Sequence, residues 1–399
     1  MHLRPRSRGT TWQFIILALM WLLAGGPGWT GPAPCLAVNS TPASSAAGWV
    51  VGASQGGYGV ILHTTDGGAH WVRQGSAGQI PDVGLNGVSG VDRNYAWAVG
   101  ANTDGYGVIL RTTDGGAHWV RQGTPGEIPD VGLFDVYALS RNIAWATGAE
   151  GVILYTTDGG STWVRQGQSV APPVTLTGVY ARDSQNVWVC GAASGSCGVI
   201  LHSADGGANW QRQTYTPERG VRGFDLLHIH GNPPHTVWVV GTGTVMRSTD
   251  DGETWKVNQP SNVGGILDCN GIYAVNANAV WLATDYGGIY LFDGAQWQQQ
   301  PNSASGYEIM RISALDGQTA WAVGGATEQG MPQGVILFKQ EGQEWTSQSF
   351  EPVVQLVDVS FPAKRMGYLP AIYQLLFNGG VTPTKQKRST EGGILCSEW

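Results

Sequence analysis

From residue 47 onward, apolar residues come in short runs, many alternating with polar ones, and the runs are bounded by Gly, Asn, Asp or Pro. A two-residue rather than 3.6-residue period predicts β-strands. In the clearest stretch, strand A is expected near Leu85 to Val91, B near Ala96 to Gly100, C near Gly107 to Thr112 and D near His118 to Gln122. After residue 37 no stretch carries convincing helical amphipathicity.

The quartet recurs. GYGVILHTTDGGAHWVRQ beginning at Gly57 returns as GYGVILRTTDGGAHWVRQ at Gly105, 48 residues later. Two tryptophan columns mark every copy. The first is Trp49, Trp97, Trp145, Trp188, Trp238, Trp281 and Trp321; the second is Trp71, Trp119, Trp163, Trp210, Trp255, Trp297 and Trp345. Fourteen of the 18 tryptophans are thereby placed, which gives seven units. A four-stranded sheet this small cannot cover both of its faces, so it must pack against its own kind, and a ring leaves no end unit exposed. The expected fold is all-β, a seven-bladed β-propeller of four-stranded antiparallel blades over residues 38–360. The chain enters on strands B, C and D around Trp49, and Leu356 to Phe361 supplies an unmatched strand A that would complete the first blade. Residues 361–399 read as a tail or, through Met366-Gly-Tyr-Leu-Pro and the run at Tyr373, as a degenerate eighth blade.

Composition adds the compartment. Arg4, Arg6 and Arg8 precede an apolar run from Phe14 to Ala24, and Cys35-Leu36-Ala37 suits cleavage before Val38, so residues 1–37 read as a signal peptide of a secreted or cell-envelope protein. The run is short for a bilayer, and no membrane insertion is expected after cleavage. Removing this segment takes away three Arg and no acid, which moves the net charge from −7 to −10 and disfavours nucleic acid as a partner.

The C-to-D turns read TTDGGAHW at Thr64 and Thr112, TTDGGSTW at Thr156, SADGGANW at Ser203 and STDDGETW at Ser248. They resemble the Asp boxes of the BNR-repeat β-propeller superfamily. Asp66, Asp114, Asp158, Asp205 and Asp250 are expected to be structural, each accepting backbone N–H bonds within its turn. Equivalent acids spread around a ring cannot converge on one metal or catalytic centre, and no metal or cofactor is expected.

Cys190 follows Trp188 on strand B and Cys197 opens strand C, which predicts a disulfide across the hairpin in an oxidising compartment. Cys269 and Cys396 form a second possible pair.

Strand A lines the channel of a propeller, and aligning these strands gives one informative column: Gly87, Asp135, Gly178, Asp225, Gly271, Arg311 and Asp358. Asp135, Asp225, Arg311 and Asp358 are the candidate binding residues, for a polar partner or a cation; the alternative is that they pair with one another or with channel water. The loops of the same face contribute Tyr58, Asp82, Tyr106, Asp130, Glu218, Arg219, Arg222, Asp285 and Glu328.

Two function classes compete. A sialidase would need an arginine triad and a Tyr nucleophile, but Arg121, Arg165 and Arg212 all fall on strand D; a xyloglucanase has two propellers, and only Ala283-Thr-Asp285-Tyr-Gly-Gly approximates its loop. The dense tryptophan and TTDGG pattern over residues 47–360 is most similar to the photosystem II stability/assembly factor-like proteins, which implies a single exported propeller acting as a scaffold. No arginine-rich patch is traceable, so photosynthesis is not implied. The expectation is a monomeric, non-catalytic scaffold that binds protein, with carbohydrate a possible ligand and a glycoside hydrolase of the sialidase or xyloglucanase type as the alternative.

Overall fold

The structure, a computed structural model, describes residues 45–195, 197–215, 224–261, 268–328 and 331–362. The expected signal peptide, the possible eighth blade, Cys35, Cys396, Glu218, Arg219 and Arg222 lie outside the described residues. Among the described residues, β1 to β28 form seven antiparallel sheets of four strands each. Blade 1 is β28 (Leu356–Ser360), β1 (Gly48–Ser54), β2 (Gly59–Thr64) and β3 (Val72–Arg73); blade 2 is β4 (Leu85–Gly90), β5 (Ala96–Thr103), β6 (Tyr106–Thr112) and β7 (Val120–Arg121). The innermost strands of blades 3 to 7 are β8 (Leu133–Ala138), β12 (Leu176–Ala181), β16 (Leu226–Asn232), β20 (Cys269–Asn276) and β24 (Glu308–Ala314). The ring closes as the sequence requires: β28 pairs with β1, Val50 opposite Val359 and Val51 opposite Asp358, so the last described strand supplies the inner strand of the first blade.

The core lies between blades, not within them. Trp49, Val51 and Ile61 of blade 1 are buried with Leu85, Val88, Ala98, Leu110 and Trp119 of blade 2, and like clusters fill the other junctions. The two tryptophan columns meet there. At four of the seven junctions the strand B ring meets the strand D ring of the next blade edge to face: Trp49 with Trp119, Trp97 with Trp163 and Trp281 with Trp345, all with centroids 5.6 Å apart, and Trp238 with Trp297 at 5.7 Å; at the closing junction Phe361 stands between Trp321 and Trp71. This is a favoured geometry for two aromatic quadrupoles. The other face of each strand B tryptophan is met by its cross-strand neighbour on strand C, whose identity varies: His63 stacks on Trp49 at 3.7 Å, Tyr155 on Trp145 at 4.7 Å and Phe338 on Trp321 at 5.1 Å, while the Arg111 guanidinium lies 5.1 Å from the Trp97 ring.

A second junction explains why Gln follows Val-Arg on strand D. A methyl group on Gly116 would lie 2.3 Å from the side-chain oxygen of Gln74 in the preceding blade, and Gly207 stands in the same relation to Gln166. The amide of Gln348 donates to the Gly67 carbonyl, and the Gln348 oxygen accepts the Trp71 indole N–H. The turn glycines are thus seats for a neighbouring blade's glutamine.

The expected Cys190–Cys197 disulfide is not formed. In the hairpin between Val187–Ala193 and Gly198–Ser203, Cys190 pairs with Ile200 and Ala193 with Gly198. Cys197 is therefore three residues beyond the position facing Cys190, roughly 10 Å along the strand, too far for a disulfide. Burial instead pushes the Cys190 thiol up to about 12.

Trp97→Ala should cost about 3–5 kcal/mol of unfolding free energy in urea titrations. If the edge contact is the unit of cohesion, Trp97→Ala with Trp163→Ala should cost less than the two single changes added together.

Candidate functional site

In every innermost strand the residue that follows a β-bulge falls in one column, as a glycine in three blades and as a polar residue in four. The bulge falls between Leu85 and Gly87, Leu133 and Asp135, Leu176 and Gly178, Leu226 and His228, Cys269 and Gly271, and Ile309 and Arg311, with Leu356 and Asp358 facing it likewise in β28. Three of the four predicted binding residues, Asp135, Arg311 and Asp358, therefore belong to the column. Asp225 does not. His228 occupies its place, because the register follows the buried Leu226 and not the Phe224-Asp225 pair that imitates Phe134-Asp135. Asp225 is exposed at the rim, where its carboxylate accepts the Ala193 N–H at 2.8 Å and ties blade 5 to the hairpin of blade 4.

Around the channel the column alternates between two kinds of clasp. In blades 2, 4 and 6 a polar residue precedes glycine and donates to a carbonyl of the next blade: Asn86 to Leu133 O at 2.8 Å, Thr177 to Leu226 O at 2.7 Å and Asn270 to Ile309 O at 3.2 Å. The glycine is needed for close approach, since a methyl group on Gly271 would lie 2.8 Å from the Met310 carbonyl. In blades 1, 3 and 5 an acceptor takes an amide of the next blade: Asp358 from Val88 at 2.7 Å, Asp135 from Val179 at 2.8 Å and His228 Nδ1 from Ile272 at 3.2 Å. Each aspartate uses its other oxygen on the amide that follows it, Val136 or Val359, at 2.8 Å.

Seven is odd, so the alternation fails once, at Arg311 of blade 7 beside Asp358 of blade 1. The guanidinium turns to the carbonyls of Asn270 at 2.6 Å and Met310 at 3.0 Å. It lies within 4 Å of no carboxylate among the described residues. Its charge still reaches them. Burial raises the Asp135 carboxyl, the Asp358 charge raises it further, and Arg311 opposes both; burial raises Asp358, again against Arg311. Burial, then Arg311 and His230, hold His228 well below the usual imidazole range, so it is neutral, and with Nδ1 accepting, its proton sits on Nε2.

The turn aspartates lie at the opposite ends of the blades, in C-to-D turns. The oxygens of Asp66, Asp114, Asp158, Asp205 and Asp250 accept the amides of His70, His118, Thr162, Asn209 and Thr254 at 2.8–3.0 Å, and each takes the hydroxyl of the Thr or Ser two residues earlier. The Thr162 amide, then its hydroxyl, hold Asp158 down at about 2.

On the loop face, strand D arginines cover B-to-C turns, which the sequence did not reveal. Arg73 lies 3.7 Å over the Tyr58 ring and Arg121 lies 3.6 Å over Tyr106 while binding Asp104 at 2.9 Å; Arg165 and Arg212 donate to the carbonyls of Glu150 and Ser194. Asp130 accepts from Asn102 and Asp285 from Asn270, both at 2.8 Å. Tyr286, the tyrosine of the Ala283-Thr-Asp285-Tyr-Gly-Gly run, is 76% exposed.

The ring has relatives among solved structures. A structure described as YCF48 bound to D1 peptide superposes with a TM-score of 0.57 at 20% identity, over 75% of this chain and 90% of that one. YCF48 from Cyanidioschyzon merolae gives 0.50 at 19% identity, over 69% and 87%. The GH74 xyloglucanase from Xanthomonas campestris gives 0.53 at 13% identity, over 81% of this chain and 55% of that one. These likenesses are of fold. No family model matches the chain, and no curated protein matches it.

The two sets of carboxylates act in separate pH windows. Asp158, depressed, contributes stability above the ordinary value of 3.8 that is lost as pH falls toward about 2. Asp135 and Asp358, raised, favour the fold most when protonated, and that contribution is lost as pH climbs from about 4 through their raised values. In urea midpoints measured against pH, Asp135→Asn with Asp358→Asn should flatten the profile above pH 4, whereas Asp158→Asn should change only the acid limb.

Proposed function

We propose that the chain is an exported, non-catalytic propeller that binds another protein through its loop face. The observation that carries this reading is the engagement of the channel carboxylates. Asp135 and Asp358 are each less than one-tenth exposed, and each spends both oxygens on backbone amides that hold adjacent blades. General acid/base chemistry needs a carboxylate that can reach substrate and exchange a proton. The channel acids serve as clasps, and the loops around the mouth are left as the recognition surface of a rigid scaffold. The fold likeness to a propeller described as bound to a peptide agrees with this use. The export reading rests on the amino-terminal sequence, Arg4 to Ala37.

One observation favours a glycoside hydrolase as a second reading: two carboxylates with raised protonation in one channel, on a fold shared with a xyloglucanase. Cross-linking the purified propeller to proteins of its native cell envelope, alongside assays on fluorogenic glycosides and xyloglucan oligosaccharides, separates the two. A scaffold should capture a specific protein that an unrelated propeller does not, and should leave the glycosides intact. Hydrolysis abolished by Asp135→Asn or Asp358→Asn in folded protein would replace this reading with the enzymatic one.

A further inference from the structure

We propose that Tyr286 is half of an arginine–tyrosine stack whose other half, an arginine side chain, is supplied by a protein partner; the proposal rests on the protein-binding reading above. Strand register aligns the blades position by position, with Tyr58 and Tyr106 at the start of strand C and Tyr286 in a left-handed turn before it. In blade 1, Arg73 pairs with Leu62 and covers Tyr58, four residues before that leucine. In blade 2, Arg121 pairs with Leu110 and covers Tyr106, again four residues before it. In blade 6 the residue paired with Tyr290 is Gln299, and four residues before Tyr290 stands Tyr286. The tyrosine is kept and the covering cation is gone. Tyr58 and Tyr106 are half-buried, whereas Tyr286 is 76% exposed, and the other large hydrophobics exposed among the described residues are four valines.

The backbone gives no reason for a tyrosine there. Tyr286 adopts the left-handed conformation, φ 58 and ψ 28, in the turn Asp285–Gly287, and Glu150 takes φ 56 and ψ 32 in the matching turn Ala149–Gly151 of blade 3. That conformation disfavours bulky side chains. The turn is held from several sides: Asp285 N donates to Asp268 O at 3.1 Å, Gly287 N to Tyr307 O at 2.6 Å, Asn302 to Gly287 O at 2.9 Å and Asn270 to the Asp285 carboxylate at 2.8 Å. The ring is therefore presented on a fixed support, which lowers the ordering cost of binding.

Charge selects the occupant. The segments bonded to the turn bring Asp268 and, next to Tyr307, Glu308, and the turn itself carries Asp285. Arg311, a cation bonded into this network, donates to the carbonyls of Asn270 and Met310. An exposed aromatic ring on a turn whose bonded segments carry acidic residues suits a guanidinium, a planar cation that stacks on such a ring.

The test uses a short fluorescent peptide alternating arginine and glycine, with a glutamate–glycine peptide as control, and anisotropy at low ionic strength. The arginine peptide alone should bind. Tyr286→Ala should weaken it about three- to tenfold, as loss of one cation–π contact implies, and Tyr286→Phe should retain it. Gln299→Arg should also weaken it, by restoring the cover that blades 1 and 2 have, without altering Tyr286. Failure of the wild type to bind, equal binding by Tyr286→Ala, or an equal loss in Tyr286→Phe would overturn the proposal. Envelope cross-linking separates this from the broader reading: a partner captured equally by wild type and Tyr286→Ala leaves the scaffold standing and removes the stack, whereas capture of no specific protein by the wild type overturns the broader reading and the stack with it.

Discussion

The packing of a strand B tryptophan against the strand D tryptophan of the next blade, edge to face at four of the seven junctions, is the contact on which the rest of the ring depends. A blade of short strands has apolar side chains on both faces, and its outermost strand is only two or three residues long. It cannot shelter either face alone. The indole of strand B, 0% exposed in all seven blades, is buried in one cluster with the indole of the following strand D and makes each blade's cohesion conditional on its neighbour. Such conditional stability propagates until the first blade is met again, and the chain answers by placing its last described strand beside its first.

Hydrogen bonds along the channel serve the same end by other means. Burying a carboxylate or an imidazole is costly without partners. Asp135, Asp358 and His228 meet that cost with amides of the following blade, so the polar inner wall is part of the junctions and not a separate layer. The lower tier continues the pattern, with Ser89, Ser313 and Ser360 accepting amides of the next blade and Tyr137, Tyr180, His230 and Tyr273 meeting ring against ring.

Much of this was legible in the sequence, for an identifiable reason. Strand type, blade number, ring closure and the turn aspartates depend on local patterns repeated at nearly fixed spacing, and repetition averages away the ambiguity of any single copy. Register was harder. A bulge shifts the inward-facing position by one residue, and nothing in Phe224-Asp225-Leu226 announces that Leu226, not Phe224, fills the buried site before it; the aspartate was misplaced for that reason and His228 overlooked. The Cys190–Cys197 pairing failed similarly, since closeness in a hairpin's sequence does not fix which residues stand opposite. The arginine covers were invisible because they join strands C and D through side-chain reach, and only paired register shows that Gln299 stands where Arg73 and Arg121 do.

The alternation of clasps carries a consequence for how such a ring can change its size. Two successive blades form one complete unit, a donor with its glycine followed by an acceptor. Loss or gain of a pair would leave every junction with a compatible neighbour and would keep the single irregular seam. Loss or gain of one blade would change the parity of the circle: the seam at Arg311 would either vanish or be doubled. The arginine thus marks, in chemical terms, the remainder left when seven is divided by two.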